Sequence, residues 1–187
     1  MKIRPASLEG ILRIEPQVFT DDRGFFLESY HAQKCAEAGL CHTFVQDNHS
    51  SSSQGTLRGL HFQRQYPQGK LVRVVLGEVF DVAVDIRLGS PTFGQWYGEY
   101  LSAENYQQLF IPPGFAHGFL VTSDRAEFLY KCTEYYRPED DYGLRWNDPS
   151  LAIDWPVTEP LLSAKDAALP CLTEIQDQLP CYTELQA

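Results

Sequence analysis

Apolar residues recur in short runs through the middle of the chain, and glycine and proline separate these runs. The runs are rich in branched and aromatic side chains, which pack well on a pleated surface. Turn signals stand at Gly77-Glu78, at Gly89-Ser90-Pro91 and at Pro112-Pro113-Gly114. The pattern predicts strands over 71–76, 79–87, 93–101, 109–111, 115–121 and 128–136. Many short strands at regular spacing indicate an all-β sandwich or barrel.

The run from Val79 to Arg87 alternates in part between apolar and polar residues. Successive side chains of a strand point to opposite faces, so the run predicts one apolar and one polar face. The apolar face holds Phe80, Val82, Val84 and Ile86, and the polar face holds Asp81, Asp85 and Arg87.

Helix is predicted only sparsely. The best candidate covers residues 31–38 and is closed by Gly39, which suits the position after a helix end. The segment 49–55 is polar, and we predict a loop there. The tail from Asp154 onward has little periodicity and predicts irregular chain and short helices packed on a β core. With no repeat or domain boundary in the pattern, we expect a single domain over residues 1–187.

The charge balance limits the partners. The formal net charge is −10, so the chain is a poor candidate for nucleic-acid binding, which needs clustered lysine and arginine. A small anionic ligand needs only a few local cations and is not excluded. No apolar run approaches the length of a membrane span, and the N-terminus lacks the apolar core of a signal peptide.

The cysteines bear on the compartment. The chain has five cysteines, which is an odd number. They are widely scattered along the sequence, and no two of them form a Cys-x-x-Cys pair. This usage fits reduced thiols in the cytoplasm, where most cysteines act as small buried hydrophobes. We therefore predict a cytoplasmic protein with no membrane or nucleic-acid partner.

Candidate chemistry begins at residues 58–63, Arg-Gly-Leu-His-Phe-Gln. Strict alternation would place Arg58 and His61 on opposite faces of a strand, but a bend or bulge near Gly59 would bring both toward one pocket. Histidine has an unperturbed pKa near neutrality and can accept a proton at cellular pH. His117 follows the turn at 112–114 and is a second candidate; each histidine alone is more often a hydrogen-bonded structural residue.

Other chemistries find weaker support. A metal site is disfavoured, because the chain has no His-x-His pair and no glutamate three to five residues after His61. No Gly-x-Ser-x-Gly, dinucleotide-binding or P-loop motif occurs. What remains is proton transfer without metal or cofactor, which needs a base, an acid on the opposite face of the substrate and a cation for the developing oxyanion.

Three residues can fill these roles: His61 as base, Tyr130 as acid and Lys70 as cation. Tyr130 lies in a predicted strand, where a tyrosine is more often a packing residue. Asp166 alone would be an exposed charge or a helix-start residue. If it folded against His61, it would hold one tautomer of the ring and favour its protonated form.

The chain strongly resembles the dTDP-4-dehydrorhamnose 3,5-epimerase family over nearly its whole length. The matching stretches are residues 22–28, 44–50, 58–63, 69–74, 111–119, 130–133, 153–156 and 162–166. Any one of them could arise by chance, but all of them in order are highly specific. The resemblance implies a cupin-type jelly roll with a few short helices, usually a homodimer in which part of the N-terminal segment reaches the partner's pocket.

The resemblance also implies roles for individual residues. His61 matches the family's base, Asp166 its carboxylate partner, Tyr130 the acid and Lys70 a lysine near the substrate's ketone. The positions that match contacts in the nucleotide-sugar pocket are Arg23, Phe26, Glu28, Gln46, Asp47, Asn48, Arg58, His117, Asp141 and Lys165. The sequence departs from the family pattern at Phe62, where tyrosine is usual, and at Asp141, where glutamate is usual.

These matches predict a metal-independent isomerase that inverts C3 and C5 of a dTDP-4-keto-6-deoxyhexose. Two alternatives stay open. One is a sister enzyme that inverts only C3 or only C5 for another deoxysugar. The other is a catalytically silent cupin that binds a nucleotide sugar.

Overall fold

The computed structural model describes residues 1–182 of the chain. Its helices are α1 (Ala32–Glu37) and α2 (Ala164–Ala167), and short 3₁₀ turns cover Pro138–Asp140, Leu172–Glu174 and Gln176–Gln178. The strands are β1 (Lys2–Pro5), β2 (Leu12–Glu15), β3 (Val18–Asp21), β4 (Gly24–Leu27), β5 (Gln46–Ser53), β6 (Leu57–Gln63), β7 (Lys70–Leu76), β8 (Glu78–Asp85), β9 (Trp96–Ser102), β10 (Gln108–Ile111), β11 (Phe115–Val121), β12 (Arg125–Cys132) and β13 (Asp141–Gly143). The all-β prediction is confirmed.

Two large sheets make up most of the fold. A six-stranded sheet has the order β1-β2-β10-β7-β12-β5, and a five-stranded sheet has the order β13-β6-β11-β8-β9. Neighbouring strands in both sheets are antiparallel. Strands β3 and β4 form a separate hairpin. From β5 to β13 the chain alternates between the large sheets, except that β8 and β9 are neighbours in the five-stranded sheet, and this alternation is typical of a jelly roll.

The core between the two sheets is built from the inward faces of both. The six-stranded sheet contributes Val72, Val74, Leu109, Ile111, Ala126 and Phe128, and the five-stranded sheet contributes Val79, Ala83, Leu101, Phe115, Phe119 and Val121. Interdigitation of two apolar faces excludes water and fixes how the sheets lie on each other. Polar side chains on these inward faces are therefore confined to a pocket.

The outer face of the five-stranded sheet is also covered. Phe80, Val82 and Val84 form the predicted apolar face of β8, and together with Ile86, just after the strand, they pack against the C-terminal tail. The tail contributes Leu172, Ile175 and Leu179 to this cluster. The predicted tail of irregular chain and short helices on a β core is thus confirmed, although residues 183–187 lie outside the described part.

Helix α1 lies where the sequence predicted it. His31 caps its N-terminus, since its side chain accepts a hydrogen bond from the Lys34 backbone N–H, and Gly39 follows with a φ of +91°. The buried Cys35 packs with Leu71 and Phe110 of the six-stranded sheet. The helix therefore covers an apolar patch on the outer face of that sheet.

One loop prediction and the bounds of one predicted strand were wrong. Segment 49–55 was predicted to be a loop, but most of it belongs to β5, and the turn is confined to residues 54–55. Strand β5 pairs with β12 alone and forms an edge of its sheet, so it can carry a run of serines that no apolar pattern would reveal. The strand predicted over 128–136 ends at Cys132, and its pairing begins earlier, at Arg125.

No helix among residues 1–182 is long and apolar enough to cross a bilayer. The five cysteines are free thiols. Cys35 and Cys132 are buried, whereas Cys41 is exposed, so the interpretation of the cysteines as buried hydrophobes does not extend to Cys41.

Candidate active site

A pocket with a cavity of about 530 Å³ opens between the two sheets, beside β5, β6 and α2. We call it the central pocket. The five-stranded sheet contributes His61 and His117, and the six-stranded sheet contributes Lys70 and Tyr130. The short α2 segment adds Asp166. The structure thus brings together all four residues for which the sequence predicted a part in proton transfer.

A bulge in β6 directs both Arg58 and His61 into this pocket. On β11 the pairing advances two residues, from His117 to Phe119, whereas on β6 it advances three, from His61 to Arg58. The extra residue reverses the alternation, so the prediction of a bend near Gly59 is confirmed. Gly59 has a φ of +127°, and a Cβ there would lie 2.5 Å from the Gly118 Cα, so only glycine fits.

His61 and Asp166 form a hydrogen-bonded pair. His61 Nε2 lies 2.6 Å from Asp166 Oδ1, and the side chains are 32% and 6% exposed. With the Nε2 proton held by the carboxylate, Nδ1 carries the lone pair that accepts a proton. The carboxylate also stabilises the imidazolium that forms when His61 takes this proton.

Helix α2 holds Asp166 in a fixed place. Ser163 caps the helix by accepting a hydrogen bond from the Asp166 backbone N–H at 3.0 Å. A backbone bridge between Thr56 and Leu161 ties the preceding chain to the region of β6. Burial opposes ionisation of Asp166, but the hydrogen bond from His61 helps to hold the pKa of this carboxyl below its ordinary value. Asp166 is therefore an anion beside the ring.

Lys70 is a largely desolvated cation. In the described part of the chain its ammonium has neither an ion-pair partner nor a hydrogen-bond acceptor. Burial lowers the pKa of Lys70, and the nearby carboxylates of Asp141 and Asp81 oppose this shift. An ammonium that has lost its water gains most from an anion that develops beside it.

Tyr130 faces the pocket from β12. Burial raises the pKa of its phenol above the ordinary value, so the hydroxyl keeps its proton at neutral pH. Because β12 and β6 belong to opposite sheets, Tyr130 and His61 approach the cavity from different sides. This arrangement suits removal of a proton on one face of a substrate and delivery on the other.

His117 is held by a buried carboxylate. Its Nε2 lies 2.8 Å from Asp81 Oδ2, and both side chains are buried. Burial lowers the pKa of His117, against the opposing effect of Asp81. His61 is more accessible than His117, so His61 is the better placed of the two to exchange protons with a ligand.

Arg58 supplies positive charge at the pocket. Its Nε donates to Ser52 Oγ at 3.0 Å, and no carboxylate among residues 1–182 lies within ion-pair distance of it. The terminal guanidinium nitrogens are therefore available to an anionic ligand, for which their planar fork is suited.

Five of the remaining predicted contacts fall into three places. Gln46 and Asn48 line a cavity that adjoins the central pocket and shares His61, Lys70 and Tyr130 with it. Asp141 and Lys165 lie at the pocket itself and are joined by an ion pair. Asp47 lines a different cavity and pairs with Lys131 at 2.9 Å.

Arg23, Phe26 and Glu28 do not line the central pocket of their own chain. Arg23 is paired with Asp21 on the β3–β4 hairpin, and Glu28 is paired with Lys34 at 2.7 Å. Phe26 is 69% exposed. These residues stand on a surface that their own chain leaves uncovered.

The structure adds residues that the sequence reasoning had not assigned to the pocket. Ser52 orients Arg58, and Asp81 holds His117. Tyr136 lies at the pocket, and its hydroxyl donates to Asp141 Oδ2 at 2.7 Å. The predicted polar face of β8 included Asp81 and could have pointed to it as a pocket residue. No sequence pattern indicated that Ser52 or Tyr136 would lie at the pocket.

Within the described residues, no three His, Cys, Asp or Glu side chains are grouped so that they could hold a metal ion. That the reaction needs no metal remains a prediction. The fold and the site together define a cupin-type protein with an acid–base pocket.

Comparison with known proteins agrees with this class. The model of the dTDP-4-dehydrorhamnose 3,5-epimerase family matches residues 5–174. The dTDP-4-dehydrorhamnose 3,5-epimerase of Pseudomonas aeruginosa is 60% identical over 168 residues, which are 89% of this chain and 93% of the relative. The chain therefore belongs to the dTDP-4-dehydrorhamnose 3,5-epimerase family, and the predicted enzyme class, an epimerase, is confirmed.

A solved structure supports the fold in detail. The dTDP-6-deoxy-D-glucose-3,5-epimerase of Legionella pneumophila, in complex with dTDP-4-keto-L-rhamnose, is 55% identical with a TM-score of 0.94, covering 97% of this chain and 98% of that one. The predicted cupin-type jelly roll is confirmed by this likeness. A dTDP-4-dehydrorhamnose 3-epimerase of Streptomyces niveus is 42% identical over 179 residues, 95% of this chain and 86% of the relative.

Proposed function

We propose that this protein inverts C3 and C5 of dTDP-4-dehydro-6-deoxy-D-glucose to give dTDP-4-dehydro-L-rhamnose, without metal or cofactor. One observation carries the proposal. The His61–Asp166 pair, the unpaired Lys70 ammonium and the protonated Tyr130 phenol converge on one pocket from three parts of the fold. These are the base, the oxyanion partner and the acid that such a reaction requires.

The C4 ketone of the sugar makes the neighbouring C3 and C5 protons acidic. His61 takes one of these protons, the C–H electron pair forms a C=C bond, and the carbonyl electrons move to the C4 oxygen as an enolate. Lys70 stabilises this oxygen by charge. Tyr130 then gives its proton to the same carbon from the other face, and the carbonyl re-forms. Proton exchange with water returns His61 and Tyr130 to their starting states, so the net change is an inversion.

Two alternatives are weaker. A mono-epimerase would use the same groups, but the chain is more similar to the Pseudomonas 3,5-epimerase than to the Streptomyces 3-epimerase. A silent nucleotide-sugar-binding cupin has no need of a paired base together with an unpaired, partly buried ammonium, and both are present here.

Product analysis tests the proposal. Purified protein is incubated with dTDP-4-dehydro-6-deoxy-D-glucose, with and without a 4-keto reductase that traps products, and the sugars are identified by NMR. We expect the L-rhamno configuration in the trapped product. A product inverted at C3 alone or at C5 alone would establish a mono-epimerase, and unchanged substrate would establish a binding protein.

We further propose a cytoplasmic homodimer. The β3–β4 hairpin exposes Phe19, Phe25 and Phe26 at 55%, 57% and 69%, an apolar surface that suits a second copy of the chain. Arg23, Phe26 and Glu28 would then contact substrate in the partner's pocket. Within one chain, the proposed substrate contacts are Gln46, Asp47, Asn48, Arg58, Lys70, His117, Asp141 and Lys165.

Arg58→Ala should weaken binding of dTDP, because the guanidinium is proposed to make charge-assisted hydrogen bonds to the diphosphate. Loss of such bonds typically raises a dissociation constant by roughly 10- to 100-fold. Calorimetry with dTDP measures the change. The matched control is Arg64→Ala, an exposed arginine outside the central pocket. Equal dTDP affinity of wild type and Arg58→Ala would contradict the assignment.

A further inference from the structure

A polar contact at the rim of the central pocket joins two parts of the chain that lie 24 residues apart. Asp141 Oδ2 accepts hydrogen bonds both from the Tyr136 hydroxyl, at 2.7 Å, and from the Lys165 ammonium. Its side chain is only 13% exposed, whereas that of Lys165 is 48% exposed. Asp141 is thus a largely buried anchor for two groups that reach toward solvent.

The backbone around this anchor is firmly held. Asp140 is buried, and its carboxylate accepts backbone N–H groups of Arg64, Gln65 and Tyr66 at 2.9–3.2 Å. Strand β13, which begins at Asp141, pairs with β6 so that Gly143 lies opposite His61. The position of Asp141 is therefore set by the same strand that carries the proposed base.

The Tyr136 backbone is also fixed, since its N–H donates to Gln46 Oε1 at 2.9 Å. The ring, however, is half exposed, and its hydroxyl bond to Asp141 is the contact that limits its rotation. Lys165 precedes Asp166, the partner of His61, so the Asp141–Lys165 pair also links the rim to helix α2.

We propose that Asp141, already one of the proposed substrate contacts, has a second role as a positioning residue: it holds the Tyr136 ring and the Lys165 ammonium in place at the pocket rim before the ligand arrives. The proposal rests on the proposed function for the identity of the ligand, a nucleoside diphosphate sugar. Groups that are already ordered lose less conformational entropy when they bind, so the contact favours affinity rather than the chemical step.

The hydrogen bond between the Tyr136 hydroxyl and Asp141 can be followed by spectroscopy. The hydrogen bond to Asp141 raises the pKa of Tyr136 to about 12. In Asp141→Asn the charge is absent, and the pKa of Tyr136 should fall toward the ordinary ~10 of a tyrosine. Carbon-13 NMR of the tyrosine Cζ atoms, assigned with Tyr136→Phe, follows this titration. An unchanged titration of Tyr136 in Asp141→Asn would show that Asp141 does not hold the ring.

Kinetics supply the second readout. We expect Asp141→Asn to raise KM for the dTDP-sugar about tenfold, with kcat within about threefold of wild type, because a charge-assisted contact that orders the binding groups is lost. Asp141→Glu keeps the carboxylate and should restore KM to within about threefold of wild type. Tyr136→Phe removes the hydroxyl that donates to Asp141, which is one of the two hydrogen bonds to this carboxylate. This variant therefore tests the contact even if Asp141→Asn folds poorly. The double variant should be less impaired than the product of the two single effects.

Two neighbouring substitutions serve as controls. Tyr135→Phe removes an exposed hydroxyl next to Tyr136, and Glu139→Gln removes an exposed charge two residues before Asp141. Both should keep the wild-type KM. The proposal is overturned if Asp141→Asn leaves KM or the Tyr136 titration unchanged, or if Asp141→Glu is as impaired as Asp141→Asn. Wild-type protein that converts no dTDP-sugar would refute the proposed function, while the Tyr136 titration would still decide whether Asp141 holds the ring.

Discussion

His61→Asn is expected to abolish turnover and to leave the fold intact. The ring lies at the pocket surface with Nε2 bound to Asp166, so its other nitrogen is the proposed proton acceptor. Removal of a general base typically costs ~10²–10⁴-fold in rate, and asparagine can neither accept the proton nor carry the positive charge. The measurement is NMR of the substrate in D₂O, which reports both the loss of C–H signals and the formation of product.

The matched control is His49→Asn, which makes the same substitution on strand β5 at a side chain outside the central pocket. This variant should exchange and epimerise at the wild-type rate. Circular dichroism of both variants checks that the strands are retained. Near wild-type exchange of C–H protons by His61→Asn would show that another group is the base.

Much of the fold was predictable because its signals are local. Strand β8 carries an apolar face of Phe80, Val82 and Val84. Both the alternation of apolar and polar residues and the flanking turns are determined by residues that are close together in the sequence. Strand β5 was missed for the opposite reason. Its serines have no apolar face, and it is a strand because β12 lies beside it to accept its backbone hydrogen bonds. Pairing of this kind is set by residues far away in sequence.

The contacts of the candidate site likewise divide into those that local sequence predicted and those that depend on residues far apart in the chain. The spacing of Arg58 and His61 with Gly59 between them pointed to a bulge, and the register of β6 against β11 has one. Asp166 lies 105 residues from His61, and only the family resemblance placed the two together. The bond between Ser52 and Arg58 arises from strand packing, and no motif marks either partner for the other.

Tyr130→Phe is expected to separate proton removal from inversion. An epimerase must take a proton from one face of a carbon and deliver one to the other, and Tyr130 approaches the cavity from the sheet opposite His61. Phenylalanine keeps the ring that packs beside Phe128 but has no proton to give. His61 should still take a proton, exchange it with D₂O and return deuterium to the same face. NMR should therefore show deuterium in substrate of retained configuration, while inverted product falls about 100-fold or more.

The matched control is Tyr100→Phe, which removes a phenol hydroxyl from strand β9, outside the central pocket, and should epimerise normally. The two readouts also separate mechanisms. If Tyr130 acted only by packing or by binding the sugar, deuterium uptake and inversion would fall by the same factor. If water or another group were the acid, inverted product would form at the wild-type rate. A selective loss of inversion, with exchange preserved, is the result that only an acid on the second face explains, because a single base returning its own proton can restore just the configuration it started from.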